Sequence, residues 1–148
     1  MAAKKTAERK EAAYAAPQNV WGTGKRKRAI ARAYFRKGGG RLKVNSRSPE
    51  YYLGRLEIMK VKEPFLIAGG DFSGYDINVS VRGGGRIGQA EAIKVAIASG
   101  MAKINPSLAA KFLAYDRNLL VADPRRTEPH KPPRSSKGAR RHKQRSKR

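Results

Sequence analysis

Cysteine is absent from the 148 residues, which excludes disulfide staples and thiolate–zinc sites. Histidine is nearly absent: the only two, His130 and His142, both lie close to the C-terminus. That placement makes a poor metal site and leaves no imidazole base in the body of the chain. Acids are scarce as well, eleven against 34 Lys or Arg. The eight acids of residues 45–124 are scattered, so no carboxylate pair marks a catalytic centre. With neither cysteine, body histidine nor paired carboxylates, no enzyme is expected and no cofactor is implied. No apolar run approaches the ~20 residues of a membrane-spanning helix, and the start lacks the apolar core of a signal peptide. Glu8, Glu11 and the lone Arg9 argue against a mitochondrial transit peptide. A cytosolic protein with a loose, Ala/Lys-rich extension over residues 1–19 is the expectation.

Positive charge is what the chain has in excess: +23 at pH 7. So basic a surface repels itself unless it meets a polyanion, and nucleic acid is the usual one. Its distribution is uneven. Residues 20–44 hold nine Lys or Arg and no acid, and residues 125–148 hold eleven against Glu128 alone. Between them lies a nearly neutral stretch with most of the apolar residues. The pattern describes a folded body over residues 20–124 with one charged face, followed by a basic arm. The arm contains no Ile, Leu, Val, Met, Phe, Tyr or Trp. It has nothing to bury against the entropy of ordering itself, so it should be disordered alone in water. Extended, it would reach roughly 80 Å, far beyond a body of this size. A solubility handle or a localisation signal would need fewer cations.

Hydrophobic periodicity organises the body. Thr23–Arg36 alternates at period two, with Ala29, Ala31, Ala33 and Phe35 on one side and Arg28, Ile30, Arg32, Tyr34 and Arg36 on the other. That pattern predicts a half-buried strand whose outer face is basic. Lys37-Gly38-Gly39-Gly40 reads as a turn, and Arg41–Asn45 as a second strand sharing that face, with Leu42 and Val44 inward. Ser48-Pro49-Glu50 opens a helix that Gly54 interrupts and Pro64 stops. Tyr75–Arg82 alternates again as a strand. From Arg86, the residues Ile87, Ala90, Ile93, Ile97, Met101 and Ile104 form one helical stripe. Ser107 caps a shorter helix with Leu108, Phe112 and Leu113 against the core, and Leu119-Leu120-Val121 is the last apolar run. The order β-β-α-β-α-α implies an α+β two-layer sandwich, with helices on one face of the sheet.

Gly83, Gly85 and Gly88 satisfy the spacing of a dinucleotide-binding loop between a strand and a helix. The preceding strand alternates, however, where a buried parallel strand would be continuously apolar. No strand follows the helix, and no acid lies about 20 residues on to hold a ribose. Two readings of the loop stand: a tight turn that lets a helix pack on a sheet, or backbone N–H groups that meet a nucleic-acid phosphate beside Arg82 and Arg86.

Three stretches carry a resemblance to a known family. GTGKRKRAIARAYFRKGGGRLKVN, VRGGGRIGQAEAIKVAIASGMAK and ADPR, with a terminal SKR, together resemble the ninth small-subunit ribosomal protein over about residues 20–148. The resemblance implies a left-handed β-α-β crossover in the mixed sheet. It also implies binding to ribosomal RNA (rRNA) in the head of the small subunit, beside neighbouring ribosomal proteins. The rRNA contacts expected on that basis are Lys25, Arg26, Lys27, Arg28, Arg32, Arg36, Arg41 and Lys43 in the first basic stretch. Arg82, Gly83, Gly84, Gly85 and Arg86 follow at the glycine loop, then Arg125, Arg126, Lys137, Arg140 and Arg141 in the arm. Ser146, Lys147 and Arg148 would touch the anticodon stem-loop of the peptidyl-site transfer RNA (tRNA). The arm departs from the family's usual pattern where Pro129-His130-Lys131-Pro132-Pro133 follows Glu128, and where Arg145 replaces an aromatic residue. The alternative from charge alone is an unspecific nucleic-acid chaperone or nucleoid protein.

Overall fold

The computed structural model describes residues 19–70 and 72–126. The basic stretch expected as one strand over Thr23–Arg36 is instead a hairpin. Strand β1 (Asn19–Arg26) pairs antiparallel with β2 (Ala29–Lys37), and Lys27 and Arg28 form the two-residue turn. Lys27 takes φ 52°, the left-handed region that non-glycine residues seldom enter. A turn without Gly, Asn or Asp gives no signal in the sequence. Strands β3 (Leu42–Val44) and β4 (Tyr75–Arg82) complete a mixed sheet in the order β1-β2-β4-β3. β4 runs antiparallel to β2 and parallel to β3. The two basic strands thus share a face as expected, with β4 between them. Helices α1 (Pro49–Tyr52) and α2 (Arg55–Ala68) connect the parallel strands β3 and β4.

Period two sorts the strands as predicted. Ala29, Ala31, Ala33, Phe35, Ile77, Val79 and Val81 are buried on the inner face, against α3 (Arg86–Ile104). Along α3 the stripe from Ala90 through Ile93, Ile97 and Met101 to Ile104 is buried, but Ile87 is 61% exposed at the mouth of the helix. Helix α4 (Ser107–Tyr115) buries Leu108 and Phe112, while Leu113, expected inside, is half exposed. Its first turn is capped by the preceding Asn105 and not by Ser107. The Asn105 Oδ1 accepts from the Ser107 hydroxyl at 2.7 Å and from its N–H at 3.2 Å. Pro64 does not end α2. Its ring is buried and the helix continues to Ala68, so apolar burial offsets the hydrogen bond that proline cannot make. Gly69 at φ 77° then closes the helix, and the Gly70 N–H donates to the Phe65 carbonyl.

β1 buries glycine where its neighbours bury methyl groups. Gly22 and Gly24 lie on the inner face, where a Cβ would come within 2.5 Å of the Gly100 nitrogen or 2.6 Å of the Ala96 nitrogen. The strand backbone therefore rests directly on the α3 backbone, which fixes the basic hairpin to the rest of the body.

Candidate nucleic-acid interface

The outer face of the sheet is a lattice of cross-strand rows. Trp21, Tyr34, Asn78 and Lys43 form one row, Thr23, Arg32 and Ser80 a second, and Lys25, Ile30 and Arg82 a third. Asn19, Arg36 and Asp76 form the fourth. The sole acid in the four strands is Asp76, and its carboxylate is already engaged. It accepts from the Arg41 N–H at 2.9 Å and the Gly39 N–H at 3.0 Å, closing the turn between β2 and β3. The Arg41 N–H is the main reason that its pKa lies below the ordinary carboxylate value; the Gly39 N–H helps, and partial desolvation opposes it. Lys25, Arg32, Arg36, Lys43 and Arg82 thus project from a face on which the four strands place a single acid, Asp76, which feels the Lys43 charge as well. Trp21, Ile30 and Tyr34 are exposed among them at 55%, 48% and 43%. Sequence periodicity places Ile30 and Tyr34 there, but Trp21 carries no such signal, because the glycines of β1 hide its alternation.

Two expected sites far apart in sequence meet at one end of the sheet. Gly83 and Gly84 both take positive φ, 72° and 70°. A Cβ on Gly83 would lie 2.6 Å from the Arg28 carbonyl oxygen, and one on Gly84 2.9 Å from the Ala29 Cβ. The glycine loop is therefore moulded onto the Lys27–Arg28 turn. Gly85 differs: it caps α3 at φ −99°, with open space where a Cβ would be and no side-chain cap. The first-turn N–H groups of α3 have no intrahelical acceptor. They lie beside a depression of about 430 Å³ lined by Lys27, Glu57, Gly84, Gly85, Arg86 and Gly88. Arg86 reaches Glu57 only at 3.8 Å and keeps most of its side chain in water. Gly83 and Gly84 make the tight turn, and at Gly85 the start of α3 has no side-chain cap. No strand follows α3 among the described residues, so the dinucleotide-binding unit is not built.

Arg26 faces a different environment from its neighbours. Its Nε donates to Glu91 at 2.7 Å and its guanidinium also pairs with Asp123. Lys60 donates to the other Glu91 oxygen at 3.1 Å, and the Arg125 N–H donates to Asp123 at 2.7 Å. The expected RNA contact at Arg26 is thus a guanidinium already committed to tying β1, α3 and the root of the arm together. Lys25, Lys27 and Arg28 remain exposed, as do Arg41, Arg125 and Arg126. Lys137, Arg140, Arg141, Ser146, Lys147 and Arg148 lie outside the described residues, as does the extension before Asn19. Burial raises the Glu91 pKa, but the hydrogen bonds from Lys60 and Arg26 outweigh that and hold it below its ordinary value of 4.5. A carboxylate depressed on folding stabilises the fold above its unfolded pKa and loses that contribution as pH falls through the folded value. Glu91→Gln should therefore lower the melting temperature near neutrality, and the gap to the wild type should close on acidification below about pH 4.5. Thermal melts across that range check it; a gap constant with pH would show that the Glu91 charge contributes nothing.

Residues 24–148 match the family described as ribosomal protein S9/S16. The small ribosomal subunit protein uS9 of Methanococcus maripaludis strain C7 is 42% identical over 125 residues, covering 83% of this chain and 93% of the relative. The protein of the same name from Methanococcus vannielii matches to the same extent. The family match starts within β1 and takes in the basic turn, the outer sheet face, the glycine loop and the arm; the chain belongs to the ribosomal protein S9 family.

Proposed function

We propose that the protein binds small-subunit rRNA in the subunit head through its outer sheet face, its Lys27–Arg28 turn and its glycine loop. Its arm, residues 125–148, runs on to the anticodon stem-loop of the peptidyl-site tRNA. Family membership makes the chain a structural, non-enzymatic constituent of the small ribosomal subunit. The observation that carries the RNA reading is the outer face itself, on which five cations stand and the sole acid is spent on backbone N–H groups. Cations on a rigid sheet suit phosphate contacts, which position a protein on RNA without reading its sequence. Selectivity then comes from the shape of the folded RNA. The purified chain should accordingly prefer folded small-subunit rRNA over a DNA duplex. Equal affinity for both would favour an unspecific nucleic-acid chaperone instead.

The tip of the arm should act separately from assembly. Ser146, Lys147 and Arg148 add two side-chain cations to a protein with 34 Lys or Arg, so their loss should barely affect incorporation. Beside a tRNA phosphate they would supply charge-assisted hydrogen bonds worth about 1.5–3 kcal/mol, with exposure to water favouring the lower end. Subunits carrying a chain that stops at Arg145 should therefore assemble normally and bind peptidyl-site tRNA roughly ten-fold more weakly or less. Unaltered affinity for initiator and elongator tRNAs would remove this role, and would point to the prolines after Glu128 as redirecting the arm.

A further inference from the structure

We propose that the outer sheet face takes unpaired RNA bases by stacking them on Trp21 and Tyr34, with the phosphates of the same strand held by the cations of the adjoining rows. This rests on the rRNA-binding reading and names the kind of RNA that the sheet meets. Trp21 and Tyr34 are direct cross-strand partners, so their Cβ atoms stand about 4.5–5.5 Å apart. Both are large aromatics left open to water on a face whose reverse side is fully packed, and such exposure needs a reason. Lys103 comes from α3 to the edge of β1, where its Nζ donates to the Trp21 carbonyl at 2.9 Å and lies 5.2 Å from the indole centroid. The indole is thus held at the sheet edge with more than half of its surface still free.

Beside Tyr34 the sheet is concave. A depression of about 500 Å³ is lined by Tyr34, Lys43, Asn45, Asn78 and Ser80, a volume within the range of small-ligand sites. Asn45 is spent on the backbone of Val81. The exposed Asn78 and Ser80 side chains are left to bond a base edge, and Lys43 to meet a phosphate. Stacking on aromatic side chains with cations alongside is how proteins hold single-stranded nucleic acid. An A-form duplex buries its base faces and would leave both rings unused. A protein partner fits less well, because the centre of a protein interface is depleted of charge, and here Lys43 shares the aromatic row while Arg32 and Arg36 flank it.

Trp21 is the only tryptophan, so tryptophan emission, excited selectively over the six tyrosines, reports on this face alone. The test is to titrate the full chain with a short single-stranded RNA of mixed sequence and with the same RNA annealed to its complement. The salt should be high enough to suppress charge-only binding by the arm. The single strand should quench the Trp21 emission and the duplex should not. Trp21→Ala and Tyr34→Ala should each weaken single-strand binding roughly five- to hundred-fold, with duplex affinity and thermal midpoint unchanged. Trp21→Phe, which keeps a ring, should retain most of the affinity. Unchanged emission at saturation together with wild-type binding by Tyr34→Ala overturns the proposal. In that event, a loss of binding on neutralising Arg32 and Arg36 would leave the rRNA-binding reading intact, and no loss would remove that reading too. Absence of quenching by RNA combined with failure of Trp21→Ala to enter subunits would also overturn it, assigning the face to a protein neighbour.

Discussion

A single methyl group added at Gly22 or Gly24 is expected to destabilise the body by about 3 kcal/mol or more. Native domains hold only about 5–15 kcal/mol in reserve, so either alanine variant should be largely unfolded well below the wild-type melting temperature. The cause is geometric. Both glycines face inward from β1, and the atoms that a Cβ would strike belong to the α3 backbone around Ala92, Ala96 and Gly100. A flexible side chain could swing aside; a helical backbone cannot without moving the whole of α3. Gly74→Ala is the matched control, since a Cβ there meets nothing within 4 Å, and it should melt close to the wild type. Urea and thermal denaturation of the three variants decide the matter. A Gly22→Ala protein within about 0.5 kcal/mol of wild type, the range of inconsequential surface changes, would contradict the direct seating of β1 on α3.

The same two glycines explain what the sequence concealed. β4, β2 and most of the α3 stripe were legible because Ala, Val, Ile and Phe recur at period two or at helical spacing. β1 carries its inward face as Val20, Gly22 and Gly24, and glycine leaves no hydrophobic trace. The Lys27–Arg28 turn holds none of the residues that usually announce a reversal, so hairpin and strand merged into one. With β1 unseen, Trp21 had no face to belong to. Pro64 misled in the opposite direction: proline reads as a stop, but a buried ring can sit within a helix that packing secures. Ile87 kept the helical period but stands in the first turn of α3, beyond the packed part of its stripe, and Leu113 stands at the edge of the buried arc of α4; periodicity shows neither. The basic cluster was legible as composition. Its split into outward cations and an inward Arg26 was not, because Glu91 and Asp123 are distant in sequence and meet Arg26 only in the fold.

Converting Arg28, Arg32 and Arg36 together to glutamine is expected to flatten the salt dependence of RNA binding while leaving the fold intact. None of the three makes a salt bridge among the described residues, so their loss should shift the melting temperature little. Arg32 and Arg36 stand on the outer face of β2, and Arg28 stands at the turn against the glycine loop. Each phosphate contact releases counterions and contributes about 0.7–0.9 to the slope of log K against log salt. Three lost contacts should therefore reduce its magnitude by about 2–2.7. Wild type and variant should differ most at low salt and converge as salt rises. A variant with weaker binding but an unaltered slope would mean that these arginines act through folding or base contacts instead.

If this charged sheet face seats the protein on small-subunit rRNA, subunit assembly shows it most directly. The full-length wild type and the Arg28, Arg32, Arg36 glutamine variant are each reconstituted into small subunits, which are then sedimented at low salt, where phosphate contacts count most. The wild type should stay with the subunit, and the variant should be lost from it while remaining folded. Equal retention of the two chains would show that the outer face of the sheet is turned away from the RNA.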